Sequence, residues 1–312
     1  MARILIPEAF TLNSTNVAGS NLPEWASGVA YTMGEQVKVT SGGIPHRAYE
    51  ARQSHTSVVG DPPVVKGNVF WIDLGAINQH KMFDGQNNTP TVADSATGNI
   101  VVEVGLNKRL QSVAFAGMAN VREVIVEQIV NGSVVHTQST NLVNNSIDIG
   151  VNVDSVGWWA WLFGERSYSK SAVISLDGVY RIQTLRFTFV GAPIAEVSQC
   201  LVCHDLYLGE TVEGASPRLK KWSSFSADEI GNYSFTPRKS TRLGSYTIEV
   251  DTDRIDQVYS IMEELEERLV FLDANNDSTS FDSIRAYGAI VDFTPGLAYN
   301  KTMCDIKIEG IN

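Results

Sequence analysis

Residues 121–130 read VREVIVEQIV, Asn131-Gly132 follows at once, and SVVHT continues over 133–137. A period of two places Val124, Val126 and Gln128 on one face and Glu123, Ile125 and Glu127 on the other. A type I′ turn needs φ > 0 at both central positions, and Asn-Gly meets that demand with little strain. This stretch therefore commits the chain to antiparallel sheet. GWWAWLFG (157–164), AVISL (172–176) and VYRIQTLRFTFVG (179–191) supply further strands, with turn residues between them at sandwich-like spacing.

Composition shifts divide the chain into four segments. Residues 1–23 turn polar and rich in Asn, Ser and Thr, and are expected to form an arm that orders against a neighbour. Residues 24–84 form a small β module rich in Gly, Pro and aromatics, and 85–213 a β-sandwich. Residues 214–312 change character. SYTIEV (245–250) reads as a strand, and a helix is expected over 253–269, capped by Asp253. Ile255, Tyr259, Met262, Leu265 and Leu269 make its apolar face, and Glu263, Glu264, Glu266 and Glu267 its solvent face. Apolar strands at 269–272, 285–293 and 303–309 complete an α+β unit with one helix on a sheet. The expected class is mainly β and multidomain.

The 43% hydrophobic and 19% charged residues exclude wholesale disorder. No apolar run approaches membrane-spanning length, so no membrane insertion is expected. The formal charge is −11, and the segments 1–84, 85–213 and 214–312 are each net acidic. A duplex-binding protein neutralises phosphates with clustered Lys and Arg, so nucleic acid is not an expected partner. MARILIPEAF carries no apolar run of secretory length, and Cys200, Cys203 and Cys304 are odd in number. Both features lead to the expectation of folding in a cytosol.

Cys200-Leu-Val-Cys203-His204 matches the c-type haem attachment spacing. Its context QCLVCHDLYLG reads as a strand, where positions i and i+3 face opposite ways, so the thiols do not grip one ligand. They are read as half-buried thiols in the last strand of the sandwich. No second Cys/His pair completes a zinc site. The glutamates 263–267 lie on a solvated helix face rather than across a cleft. G-x-S-x-G, a P-loop and H-E-x-x-H are absent, and Gly42-Gly43 has no following helix. The chain is read as a non-enzyme with no cofactor and no catalytic or metal site. The aromatics Trp25, Tyr31, Tyr49, Phe70 and Trp71, set among glycines, are either the core of a small module or a sugar-stacking surface. Trp158, Trp159 and Trp161 pose the same choice on their strand.

The N-terminal unit resembles the small chitin-binding modules of bacterial chitinases, in Trp25, Tyr31-Thr-Met-Gly34, Val37, Gly43, Tyr49, Pro62 and Trp71. Those modules carry adjacent aromatics shortly after the central Tyr, where this chain has Glu50-Ala51-Arg52-Gln53. The resemblance implies host-surface glycan as a partner, with Trp25, Tyr31, Tyr49 and Trp71 as the carbohydrate contacts. The remainder resembles a protein type of tailed bacteriophages that joins a jelly-roll-like domain to an α+β domain. WWAWLFGE (158–165), the run 177–190, and Tyr287-Gly288, Asp292-Phe293, Tyr299, Cys304 and Ile308-Glu309-Gly310 carry it, with Asn300 where Pro is usual. It implies a jelly-roll-like sandwich at 85–213 and an assembly domain at 214–312. It also implies a structural virion protein of the tail tip or baseplate, made in the host cytoplasm, a homo-oligomer among other tail proteins. A carbohydrate-binding adsorption protein is the alternative, and a polysaccharide-degrading tail enzyme a second.

Overall fold

The computed structural model describes residues 2–41, 45–59, 63–64, 68–86, 88–144, 167–212, 215–227, 230–238, 240–274, 282–296 and 298–311. The chain opens with β1 (Ala2–Pro7) and β2 (Thr11–Thr15). The small module holds β3 (Ala30–Tyr31), β4 (Gln36–Val39), β5 (Arg47–Ala51), β6 (His55–Thr56) and β7 (Trp71–Ala76), and the 3-10 turn Asn78–Phe83 leads out of it. Then come β8 (Thr91–Val92), β9 (Ile100–Leu106), β10 (Ser112–Ala116), β11 (Ala119–Val130) and β12 (Ser133–Asn141). After β13 (Val143–Asn144) and β14 (Ser167–Tyr168), β15 (Ser171–Ser175), β16 (Gln183–Val197) and β17 (Gln199–Thr211) continue. The last part holds β18 (Ser216–Lys220), β19 (Ser224–Ala227), β20 (Tyr233–Thr236), β21 (Thr241–Asp251) and the helix α1 (Ile255–Leu265). β22 (Leu269–Asp273), β23 (Arg285–Gly296) and β24 (Lys301–Gly310) end it.

The protein is mainly β. Asn131 and Gly132 have φ of 52° and 80°, and Val130 pairs with Ser133, so the two-residue turn forms where the alternation places it. Val124 and Val126 are buried, as is Gln128 at the third position of that face. The Gln128 amide is satisfied there: Nε2 donates to the Gly178 carbonyl at 2.7 Å and to Gln183 Oε1 at 3.1 Å.

Two sheets face each other. One runs β12-β11-β16-β9-β2, and the other runs β15-β10-β17-β1-β22-β23-β24-β21-β18. Between them Val102, Val104, Val124, Phe187 and Phe189 meet Val113, Phe115, Cys200 and Val202. The Phe115 ring stands edge-on to Phe187 and Phe189, with centroids 5.5 and 5.1 Å apart. The larger sheet also closes on itself. Glu210 and Thr211 of β17 pair with Glu249 and Ile248 of β21, which joins β17, β1, β22, β23, β24 and β21 into a barrel. α1 packs Ile255, Val258, Met262 and Leu265 against Ile4, Tyr246, Ile248, Leu272 and Ile306 of these strands. The Tyr-Gly and Ile-Glu-Gly motifs of the chain's end let two strands of this barrel, β23 and β24, approach closely. Gly288 pairs with Gly310, and a Cβ on Gly288 would lie 2.0 Å from the Glu309 carbonyl oxygen.

Several expectations are corrected here. Residues 2–7 are no arm: β1 lies inside the barrel sheet between β17 and β22, and Ala2, Ile4 and Leu5 are fully buried. The polar residues after Phe10 suggested an arm, but β2 pairs its own chain's β9. Position 213 does not separate two sheets, because β17 serves sandwich and barrel alike. The helix is shorter than 253–269. A 3-10 turn, Thr252–Arg254, precedes it, Asp253 makes no cap, and Leu269 opens β22, whose apolar run LVFL is better buried as a strand. Tyr259 is exposed and Val258 takes its place in the apolar stripe. The strand expected at 157–164 lies outside the described residues.

Candidate functional site

The four residues proposed for sugar contact do come together, but as a core. Tyr31, Val37, Val39, Tyr49, Ala51 and Trp71 form one cluster, with Trp25 and Phe70 partly buried against it. Tyr31, Tyr49 and Trp71 are only 8%, 4% and 6% exposed, so they offer no open ring face for a sugar. The reason is size: β4, β5 and β7 make only a three-stranded sheet, and these rings are the largest buried side chains of its core. Tyr31 meets Trp71 edge-on at 5.1 Å, and His55 stacks on Phe70 at 4.7 Å. Trp25 is half-buried and the remaining candidate of the four.

Cys200 and Cys203 lie on β17 and are both buried, facing different clusters as i and i+3 on a strand must. Burial pushes both thiols up, and Asp205 adds to the rise at Cys203, so neither is a ready thiolate. Cys304 is raised to about 11, chiefly by burial. Among the described residues, no group of three His, Cys, Asp or Glu side chains could hold a metal ion.

A row of charges that sequence reasoning missed crosses four strands. Arg3 bridges Asp205 at 3.1 Å and Asp273 at 3.2 Å, and Arg285 reaches the other oxygen of Asp273 at 3.4 Å. Ser112 Oγ donates to Asp205 at 2.7 Å. Each of these carboxylates is held by a guanidinium, so the row staples β17, β1, β22 and β23 together rather than forming an acid–base pair. A concavity of about 690 Å³ lies over β2, β9 and β16. Its Arg186 is paired with Glu103 at 2.8 Å and Glu127 at 3.1 Å, and the hydrogen bond from Arg186 holds the Glu103 carboxyl low. Nothing there pairs a nucleophile with a base.

The unusual surface lies elsewhere. β19 and β20 form a separate two-stranded ribbon that continues outward from β18 and β21. Every residue of these two strands is exposed. Phe225 is 75% and Tyr233 82% exposed, and Ile230, next to the turn, is 88% exposed. The Phe225 and Phe235 rings lie 4.8 Å apart across the ribbon. Its root is fixed: Lys220 sits 4.4 Å over the Trp222 ring and bridges Glu309 at 2.7 Å, and Ser223 bonds both backbone groups of Arg238. No family model, curated protein or solved structure matches the chain.

Proposed function

We propose that this chain is a structural component of a tailed-phage tail tip or baseplate, acting through assembly rather than catalysis. The observation that carries the reading is the ribbon β19–β20. An isolated two-stranded hairpin is marginal in water, and one that exposes Phe225, Tyr233 and Phe235 on its surface calls for a covering partner. The order of Tyr287-Gly288, Asp292-Phe293, Cys304 and Ile308-Glu309-Gly310 resembles tail proteins and supports the same reading. Deleting the gene from the phage tests it. Particles lacking the chain are expected to show truncated or tipless tails and to lose adsorption. Intact, adsorbing tails without the chain would overturn the reading.

A further inference from the structure

The root of the ribbon differs from the rest of the chain in charge, whereas residues 224–236 themselves carry only the charges of Asp228 and Glu229. Residues 216–242 hold Arg218, Lys220, Lys221, Arg238, Lys239 and Arg242 against Asp228 and Glu229, within a chain of net charge −11. Arg218, Lys221 and Arg238 have no ion-pair partner among the described residues.

A second surface of the same chain is its complement. Between α1 and β23 lies a groove of about 190 Å³ lined by Tyr259, Met262, Ile290, Val291 and Phe293, with Glu263, Glu266 and Asp292 at its rim. Tyr259 is 46% and Val291 63% exposed. Asp292 is occupied by Lys307, whereas Glu263 and Glu266 have no ion-pair partner among the described residues. These glutamates also stand at the helix C-terminus, where the macrodipole is negative, and the last turn holds no basic residue. The carboxylates are thus unfavourably placed in the single chain, and a cation from outside relieves them. β22 pairs β23 only as far as Ala289, so among the described residues no strand covers that edge from Ile290 onward. An open edge accepts another strand.

We infer that the ribbon of one copy docks in the α1–β23 groove of a second copy, joining the chains head to tail. This deepens the assembly reading and rests on it. The apolar rings of the ribbon meet the apolar floor of the groove, and the cations at its root, Lys221 and Arg238, meet Glu263 and Glu266 at the rim. Donor and acceptor are different patches, so each copy gives one ribbon and receives one. Such a contact closes into a ring or propagates as a filament.

Light scattering of the full-length chain tests the contact. The wild-type chain is expected to be oligomeric, and more weakly so as salt rises. Lys221→Glu with Arg238→Glu should raise the dissociation constant at least tenfold, and Glu263→Lys with Glu266→Lys should do the same. All four changes in one chain should restore assembly, an outcome that general damage to the fold would not give. Phe225→Ser with Phe235→Ser, at exposed positions, should dissociate the oligomer with an unchanged circular dichroism spectrum. A monomeric wild-type chain overturns the contact. So does an oligomer that survives every variant, although the assembly reading then stands. A chain absent from virions overturns the assembly reading, while the masses still decide the contact.

Discussion

In the N-terminal module the aromatic rings turn inward, whereas in the ribbon they turn outward, and both regions are small antiparallel sheets. The module has β4, β5 and β7 and can wrap one face around Tyr31, Tyr49 and Trp71. The ribbon has two strands, so neither of its faces has a second layer. Residue type therefore does not decide what an aromatic does; the number of strands around it does. Buried rings stabilise the body that holds them, and exposed rings leave apolar surface uncovered.

Trp71→Ala is the strongest way to break this comparison. It empties the module core and should cost about 3–5 kcal/mol, read by urea unfolding of the full chain. Phe225→Ala should cost under about 1 kcal/mol in the same measurement, the size of a cross-strand aromatic pair. Equal losses at the two sites would mean that the ribbon belongs to a folded core and needs no partner.

Legibility in the sequence followed the range of the interaction. The β11–β12 hairpin was readable because its alternation and its Asn131-Gly132 turn are local. The opposed burial of Cys200 and Cys203 was readable for the same reason, since strand parity alone decides it. The place of β1 was not readable. Its pairing of Ala2 with Gly209 spans most of the chain, and six residues with three core side chains look like the start of an arm. The aromatic set at 25–71 was found, but its pattern is the same for a core and for a platform, and burial decided between them. The ribbon was missed by averaging. Segment 214–312 is net acidic, and its basic residues all but vanish in that sum although six of them fall within 218–242.

A second test compares the two regions through pH. His80 lies in the 3-10 turn that leads out of the module, its ring 4.1 Å from that of His46. Burial first, and then the neighbouring His46, lowers its pKa to about 4. The unfolded chain takes up a proton near the ordinary value of about 6.5, which the folded chain refuses until about 4. The stability from this group is thus present above about 6.5 and is lost as pH falls toward 4. Asp84, raised by burial, works in the opposite sense at the acid end, so the clean window lies above its titration. Thermal unfolding should show a lower midpoint at pH 5 than at pH 7.5, and His80→Gln should reduce the difference. The ribbon has no histidine, so hydrogen exchange in 224–236 should not change with it once intrinsic rates are corrected. An unchanged slope in His80→Gln would assign the acid sensitivity to other groups.

The smallest expected effect sits at the root of the ribbon. Lys220 over Trp222 is a half-exposed cation–π pair, worth about 0.5–1 kcal/mol. The Trp222 indole N–H also donates to Thr241 Oγ1 at 3.2 Å, which ties the ribbon's outgoing strand to its return. Trp222→Ala should therefore loosen the ribbon without touching the barrel: exchange in 224–236 should rise while the global midpoint stays within about 1 kcal/mol of wild type. That pattern would make the ribbon an element held at its root and completed by a partner. A larger global loss would mean that root and barrel unfold together, and the contrast between a self-sufficient module and a partner-dependent ribbon would have to be redrawn around β18 and β21.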